Sequence, residues 1–341
     1  SWPLLCPHMQ YQGTREYRSG LHLLLRHDGD GHTDWAIGGG RDWFGVEEAP
    51  VQRIGLDGTT YYDAAAPFAG DERSIDHVLL QGRTSRGALA AVYGVRWDEY
   101  SDVGDATSPR AALIWRGPGS PWTAKLQYAH AFRAPSATER YGTGPGTQQA
   151  GNFALQPETI DTLELAWQYG AASHDTELVL FGSRWQDGIV LTQVSPTISQ
   201  YQNTGRNSGH GIELTHRRVL GNWRLDATGS WVVSENDRID TRYVGFPQYL
   251  LDVGASRQFG NGWEIGLRER IMLDMAEGDT ITTSSPLSVY IPPAAPDYYR
   301  TDLHAGWRSG KLRLALDVRN LFGRDNIVPS MLNARGGIPE P

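Results

Sequence analysis

The chain alternates between apolar and polar positions. In 222–231, Trp223, Leu225, Ala227, Gly229 and Trp231 take one parity, and Arg224, Asp226, Thr228 and Ser230 the other. In 311–319, Leu312, Leu314, Leu316 and Val318 oppose Lys311, Arg313, Asp317 and Arg319. Segment 299–308 sets Tyr299, Leu303, Ala305 and Trp307 against Arg300, Asp302, His304 and Arg308, and 162–169 sets Leu163, Leu165, Trp167 and Tyr169 against Thr162, Glu164 and Gln168. Period two predicts strands with one apolar and one polar face. Two segments are noisier: Glu269 interrupts the apolar parity of 263–273, and 174–185 fits either phase.

Between the strands the connections differ in length. Short Gly-rich ones fall at His27–Gly31, Ser85–Gly87, Gly117–Pro121, Gly170–Ser173, Leu220–Asn222, Gly260–Gly262 and Ser309–Gly310. Long polar ones fall near 45–72, 100–109, 133–158, 188–204, 235–247 and 276–297. The two kinds alternate, so about fourteen strands should place all long loops at one end of a meander and all tight turns at the other. That asymmetry predicts an all-β, antiparallel up-and-down transmembrane barrel over 1–341, rather than a propeller or sandwich. Trp223 and Trp231 lie eight residues apart on one parity. That is about 26 Å along a strand at ~3.3 Å per residue, or about 20 Å of height at ~40° tilt, close to the ~25 Å apolar band of such barrels.

Composition narrows the classes. The 341 residues include 40 Gly, 12 Trp and 15 Tyr, a turn-rich and aromatic balance. No apolar run approaches the ~18–20 residues of a transmembrane helix. The net charge of -8 argues against nucleic acid as a partner. Cys6 stands alone, which excludes a disulfide and a Cys-based metal site. The start, Ser1-Trp2-Pro3-Leu4-Leu5-Cys6-Pro7, has neither the basic nor the long apolar region of a signal peptide, and reads as cut from a longer precursor.

Several segments resemble the C-terminal barrel region of TonB-dependent outer-membrane receptors. Ala131-Phe132-Arg133-Ala134-Pro135-Ser136 with Glu139, Arg140 and Tyr141 is similar to the family's "FRAPS…E.Y" stretch. Leu155-Gln156-Pro157-Glu158 with Leu163-Glu164-Leu165 resembles "L.PE….E.G", with Ala166 in place of its closing Gly. Tyr201-Gln202-Asn203-Thr204-Gly205 followed by Gly211-Ile212-Glu213 resembles "N.G…G.E", and Val318-Arg319-Asn320-Leu321-Phe322 resembles "V.NLF". The order and spacing agree from about residue 70 onward. The family carries a plug domain, a TonB-contacting segment and usually twenty-two strands closed by an aromatic terminus. None of these features is found here, so the strands should match the eighth to the twenty-first. An unclosed set leaves edges at 16–26 and 311–320, and the sheet should stand as an open trough.

The resemblance implies active uptake of a scarce large solute, first a ferric siderophore, then cobalamin or another nutrient. It also implies energy from the TonB–ExbB–ExbD complex acting on a plug, outer-membrane lipid as surroundings, no covalent chemistry and no cofactor. A passive porin-like barrel and a soluble all-β carbohydrate-binding protein are the alternatives. By residue type and loop position, Arg133, Arg140, Tyr141, Tyr201, Arg206 and His210 are the candidate ligand contacts, Arg forks being suited to carboxylates and phosphates. Tyr61, Tyr62, Tyr290, Tyr298 and Tyr299 read first as girdle residues. His27-Asp28-Gly29-Asp30-Gly31-His32-Thr33-Asp34 offers three carboxylates to a hard cation, yet Asp-Gly is also a favoured hairpin turn, the preferred reading.

Overall fold

The computed structural model describes residues 8–29, 31–55, 58–142, 149–237, 241–242, 247–275, 297–328 and 338–339. Sixteen strands form the main sheet. Two short ones, Gln149–Ala150 and Thr241–Arg242, lie off the main path. The rest follow in chain order as antiparallel neighbours. They are β1 (Arg15–His27), β2 (Thr33–Glu48), β3 (Glu72–Arg86), β4 (Leu89–Tyr100), β5 (Gly104–Arg116), β6 (Trp122–Arg133) and β7 (Glu158–Ala171). There follow β8 (His174–Ser195), β9 (Ile198–Leu220), β10 (Trp223–Asn236), β11 (Pro247–Gln258), β12 (Trp263–Met275), β13 (Tyr298–Ser309) and β14 (Leu312–Val318). Among the described residues no ladder joins β1 to β14, so both edges stand open.

The register carries one apolar face across the whole sheet. Leu25 pairs with Ile37, Ile37 with Leu80, and Leu80 with Val95. Leu113, Leu126, Leu165, Leu180, Ile212, Trp231 and Tyr249 form a second continuous row. Leu225, Ala255, Leu267, Leu303 and Val318 form a third row, out to the far edge. A one-residue slip anywhere would turn a strand inside out; none occurs along these rows. The predicted apolar set (Leu163, Trp167, Trp223, Leu225, Trp231, Leu314, Leu316) and polar set (Glu164, Arg224, Asp226, Asp302, Arg313) fall on opposite faces.

The second face is charged and paired. Arg96 grips Asp98 at 2.6 Å. Arg268 reaches Asp226 at 2.7 Å and also Asp252, which Arg270 meets at 2.9 Å. Arg300 meets Asp302 at 3.0 Å, and His304 meets Asp317 at 2.7 Å. Charged groups gathered on one face while Leu, Ile and Trp cover the other suit a wall with water on one side only.

Tight turns close one end. At 87–88, 221–222 and 310–311 a two-residue turn begins with Gly at φ 58° and continues with a residue outside the left-handed region. This is the Gly-first hairpin turn whose twist matches its strands. Trp35, Trp115, Trp122, Trp167, Tyr169, Trp223, Trp263 and Trp307 cluster near this end on the apolar face. Trp122 packs edge-on to Tyr169 at 4.7 Å, and Arg257 lies over Trp223 at 5.3 Å. Such a belt is what amphipathic rings form at a membrane surface.

The other end departs from expectation in four places. The predicted loop 100–109 is only Ser101–Val103, because β5 begins at Gly104. The predicted loop 188–204 is mostly a hairpin: β8 and β9 pair out to Ser195 and Ile198, past bulges near Asp187 and Thr204. Thr, Gln and Val in that stretch suit strands despite their polarity. Within 45–72, Pro50–Gly55 and Thr60–Ala65 form strands that join His8–Gln12 in an extra three-stranded sheet. Within 133–158 a short helix forms, α1 (Ala137–Tyr141). Of the expected loop 276–297, residues 276–296, with Tyr290, lie outside the described residues.

Candidate functional site

The long-loop rim is built on Arg133, the last residue of β6. Its fork donates to Glu139 at 2.9 and 3.0 Å, and its Nε to Glu158 at 2.5 Å. Both carboxylates are 12% exposed. Glu139 also closes a capping box: Ser136 Oγ accepts from the Glu139 amide at 3.3 Å, and the Ser136 amide donates back at 2.7 Å. A box of this kind starts a helix by satisfying its free amides, which explains a helix directly after Pro135. Glu158 uses its second oxygen for the Ile189 amide at 2.8 Å, tying β7 to the base of the β8–β9 ribbon. Asn203 then grips the backbone of Gln156 twice, accepting at 2.9 Å and donating at 2.8 Å. Leu155, 1% exposed, is sealed beneath. The three motif stretches are therefore one interlocked rim.

Arg140 occupies a second node. Its side chain is 9% exposed and pairs with Asp102. Arg73 reaches the same Asp102 oxygen at 2.7 Å and the Pro135 carbonyl at 2.9 Å. The rings of Tyr141 and Phe153 lie 5.8 and 5.5 Å from the Arg140 guanidinium. Asp102 Oδ1 and Arg140 Nε are buried without a hydrogen-bond partner among the described residues. Tyr141 donates to Asp71 at 2.5 Å and packs on the cluster of Ala49, Val51, Ala66 and Phe68. Its pKa is raised, first by that hydrogen bond and then by burial, so the phenol stays protonated.

The other candidates stand apart. Tyr201 is half-buried, and its carbonyl accepts from Asn152 at 2.8 Å, a tie to the rim through the backbone alone. The Arg206 side chain is exposed and carries no ion pair or hydrogen bond among the described residues. His210 shares the apolar face with Ile212 and Trp231 and meets the Trp231 ring edge-on at 5.8 Å. It points away from the face that bears the charged pairs. In the His27–Asp34 turn, Asp34 accepts from the Gly29 amide at 3.1 Å and so closes the turn, while Asp30 lies outside the described residues.

Arg73 and Arg133 line a cleft of about 450 Å³ with Tyr17, Phe44, Tyr100 and Phe132. Sequence alone did not point to Arg73, Asp102 or Asp71. Each is unremarkable in its own segment and acquires a role only through strand order.

Burial opposes the charge of Glu139, but hydrogen bonds from Arg133 and Ser136 outweigh it and hold this carboxyl below its usual range. A depressed carboxyl contributes stability that is fully present above its unfolded pKa, about 4.3, and is lost as pH falls through the lower folded value. Hydrogen exchange of the α1 amides should therefore be flat from pH 8 to about 5, after correction for intrinsic rate, and should accelerate below about 4. Glu139→Gln should abolish that acid step. An identical step in both proteins would refute the role given to this carboxylate.

Comparison with known proteins agrees with this geometry. Residues 7–321 match the family model described as TonB dependent receptor-like, beta-barrel. The chain belongs to that family. No curated protein matches the sequence. Among solved structures it is similar to the copper transporter OprC, at 17% identity, TM-score 0.74, with 97% of this chain and 56% of that one covered. It is also similar to the siderophore receptor PirA from Acinetobacter baumannii, at 16% and 0.71, covering 97% and 53%. A mutant ferric enterobactin receptor from Pseudomonas aeruginosa, in complex with enterobactin, matches at 16% and 0.72, covering 96% and 52%. At these identities the likeness is one of fold. The chain spans about half the length of these structures.

Proposed function

We propose that this chain is the wall of an outer-membrane receptor that takes up a scarce large solute, a ferric siderophore first, with energy from the TonB–ExbB–ExbD complex. The apolar face meets lipid and the charged face lines the lumen. What carries the reading is the continuous apolar face with its aromatic belt, on a chain of this family. Of the solved structures of similar fold, one is named a siderophore receptor and another a ferric enterobactin receptor, which supports that solute class ahead of cobalamin. The cleft beside Arg133 adds cationic and aromatic groups suited to an anionic chelate with flat rings. Ligand contact is assigned to Arg133, Tyr201 and Arg206. Arg140 and Tyr141 brace the helix that positions them, and His210 faces lipid. Nothing in this scheme breaks or forms a covalent bond, so the protein acts as a transporter and not as an enzyme.

The test is iron uptake by cells that carry or lack the gene, with and without TonB. Uptake of labelled ferric siderophores should need both. Uptake that persists without TonB would favour the passive barrel. Recovery of the protein in the soluble fraction would favour a carbohydrate-binding protein.

A further inference from the structure

The charged face of β1, β2 and β3 holds a cluster with no place in the rim. His22, Asp42 and His77 come together there, and one ligand atom from each lies within 4.8 Å of the other two. It is the one such group among the described residues. The strand register makes it: His22 and His77 both pair with Gly40, from opposite sides, and Asp42 stands two residues further along β2 on the same face. All three are far from both ends of their strands.

The inventory of partners is uneven. Asp42 and His77 have side chains 7% and 3% exposed, while His22 is 51% exposed. Asp42 Oδ1 accepts from Arg18 at 3.2 Å and lies 3.3 Å from His22 Nε2. The facing nitrogens of the two imidazoles are 3.3 Å apart. His77 Nδ1 is buried and has no hydrogen-bond partner among the described residues. It lies 3.9 Å from Asp42 Oδ2, too far for a hydrogen bond. Asp98, opposite His77 in the register, does not supply the missing contact, because Arg96 holds it with three hydrogen bonds.

Two ligands held ~2.0–2.1 Å from one tetrahedral ion stand about 3.4 Å apart. His77 Nδ1 and Asp42 Oδ2, 3.9 Å apart, reach that distance by a shift of about half an ångström. His22 now faces the other nitrogen of His77, so its exposed ring turns to bring one nitrogen onto the same ion, within the 4.8 Å that already contains one ligand atom of each residue. Glycine keeps the space clear. A Cβ on Gly20 would lie 2.6 Å from Asp42 Oδ1 and 2.8 Å from His22 Nε2, and one on Gly40 would lie 3.0 Å from His22 Nδ1. Two imidazoles and one carboxylate favour Zn²⁺ or Cu²⁺ over Mg²⁺ or Ca²⁺, which prefer oxygen donors. Three protein ligands leave a fourth position for water or for a donor atom of a passing solute.

We infer that His22, Asp42 and His77 form a binding site for a divalent transition-metal ion of the Zn²⁺ or Cu²⁺ kind on the charged face of the wall. The inference stands apart from the identity of the transported solute. His77 Nδ1, Asp42 and one nitrogen of His22 are the ligands. Arg18 stays on Asp42 Oδ1 and keeps the carboxylate oriented.

The full-length protein, extracted from membranes in mild detergent, is dialysed against Zn²⁺ and, separately, Cu²⁺, and bound metal is counted. His22→Ala alters the exposed ligand and leaves the two buried ones in place. His210→Ala on the opposite face is the control. Even outer partners of a metal site are worth about 10–100-fold in affinity, so His22→Ala should weaken one site at least tenfold while His210→Ala changes nothing. Bound Cu²⁺ should show nitrogen couplings from two imidazoles by electron paramagnetic resonance, reduced to one in His22→Ala. Asp42→Asn should also weaken the site, and heat-modifiable gel migration reports whether each variant has folded. Equal affinity in the wild type and folded His22→Ala, or no ion retained by the wild type at micromolar metal, would overturn the inference.

Discussion

Arg133→Ala should open the rim without dissolving the wall. The change removes three charged hydrogen bonds and leaves Glu139 and Glu158, both largely buried, without their cation. A charged hydrogen bond is worth about 1.5–3 kcal/mol, and breaking a buried pair costs about 3–5 kcal/mol because a charge stays behind. Arg133 is itself 46% exposed, so the lower end applies. About 3 kcal/mol corresponds to roughly a hundredfold more open rim, at ~1.4 kcal/mol per tenfold. The amides to watch are those of α1 and of Ile189, which donates to Glu158 at 2.8 Å. Both should exchange faster, while amides in mid-β7 stay protected. Arg133→Lys should recover only part of the loss, since an ammonium cannot fork onto Glu139 while also reaching Glu158. Siderophore uptake should fall in Arg133→Ala and further in Arg133→Ala with Arg140→Ala, with membrane insertion intact. Unchanged exchange at α1 and Ile189 would remove Arg133 from the centre of the rim.

How the wall and rim emerge from sequence follows from the range of the forces involved. Alternation in β7, β10, β13 and β14 is local, because each side chain's face is fixed by parity alone, and it predicted the faces of those strands correctly. The Gly-first turns are local for the same reason, as at Gly221 and Gly310. The β8–β9 ribbon was missed because its outer part, around Leu191–Val194 and Gln200–Asn203, mixes apolar and polar residues on both faces. A strand clear of any apolar surroundings has no reason to alternate. The helix α1 was missed because five residues show no period, although Ser136-Ala137-Thr138-Glu139 is a legible capping box. Arg140 illustrates a third limit. Its type suggested an anion contact, but its partner Asp102 sits 38 residues earlier and reaches it only because β5 and β6 are neighbours. The charge of a side chain is visible in a sequence, whereas the identity of its partner depends on strand order. His210 shows the same limit in reverse. Reading it as a loop residue ignored the parity it shares with Ile212, which already placed it on the apolar face.

Parity also sets the largest effect expected in the wall itself. Leu165 lies midway along β7, paired with Leu126 on one side and Leu180 on the other, and is 37% exposed on the apolar face. If that face meets hydrocarbon, Leu165→Arg places a cation near the bilayer midplane, at a cost of about 2–4 kcal/mol. Ala166, one residue on, stands on the opposite face between Lys125 and Val179. Ala166→Arg adds the same charge to a water-lined surface, where its worst neighbour is Lys125 across the strand, a like-charge contact of about 0.2–1 kcal/mol. The two variants introduce the same side chain at neighbouring positions, so the added charge and its depth are closely matched and the face it enters is the main difference. Folding into vesicles under a urea gradient should show Leu165→Arg destabilised by at least about 1 kcal/mol more than Ala166→Arg. The outer-membrane yield in cells should fall in the same order. A soluble β-sheet protein would respond differently, because an exposed Leu165 on a water-covered face would accept arginine at almost no cost. Equal stability of the two variants in lipid would therefore refute the assignment of the apolar face to the membrane, and with it the barrel reading of the whole wall.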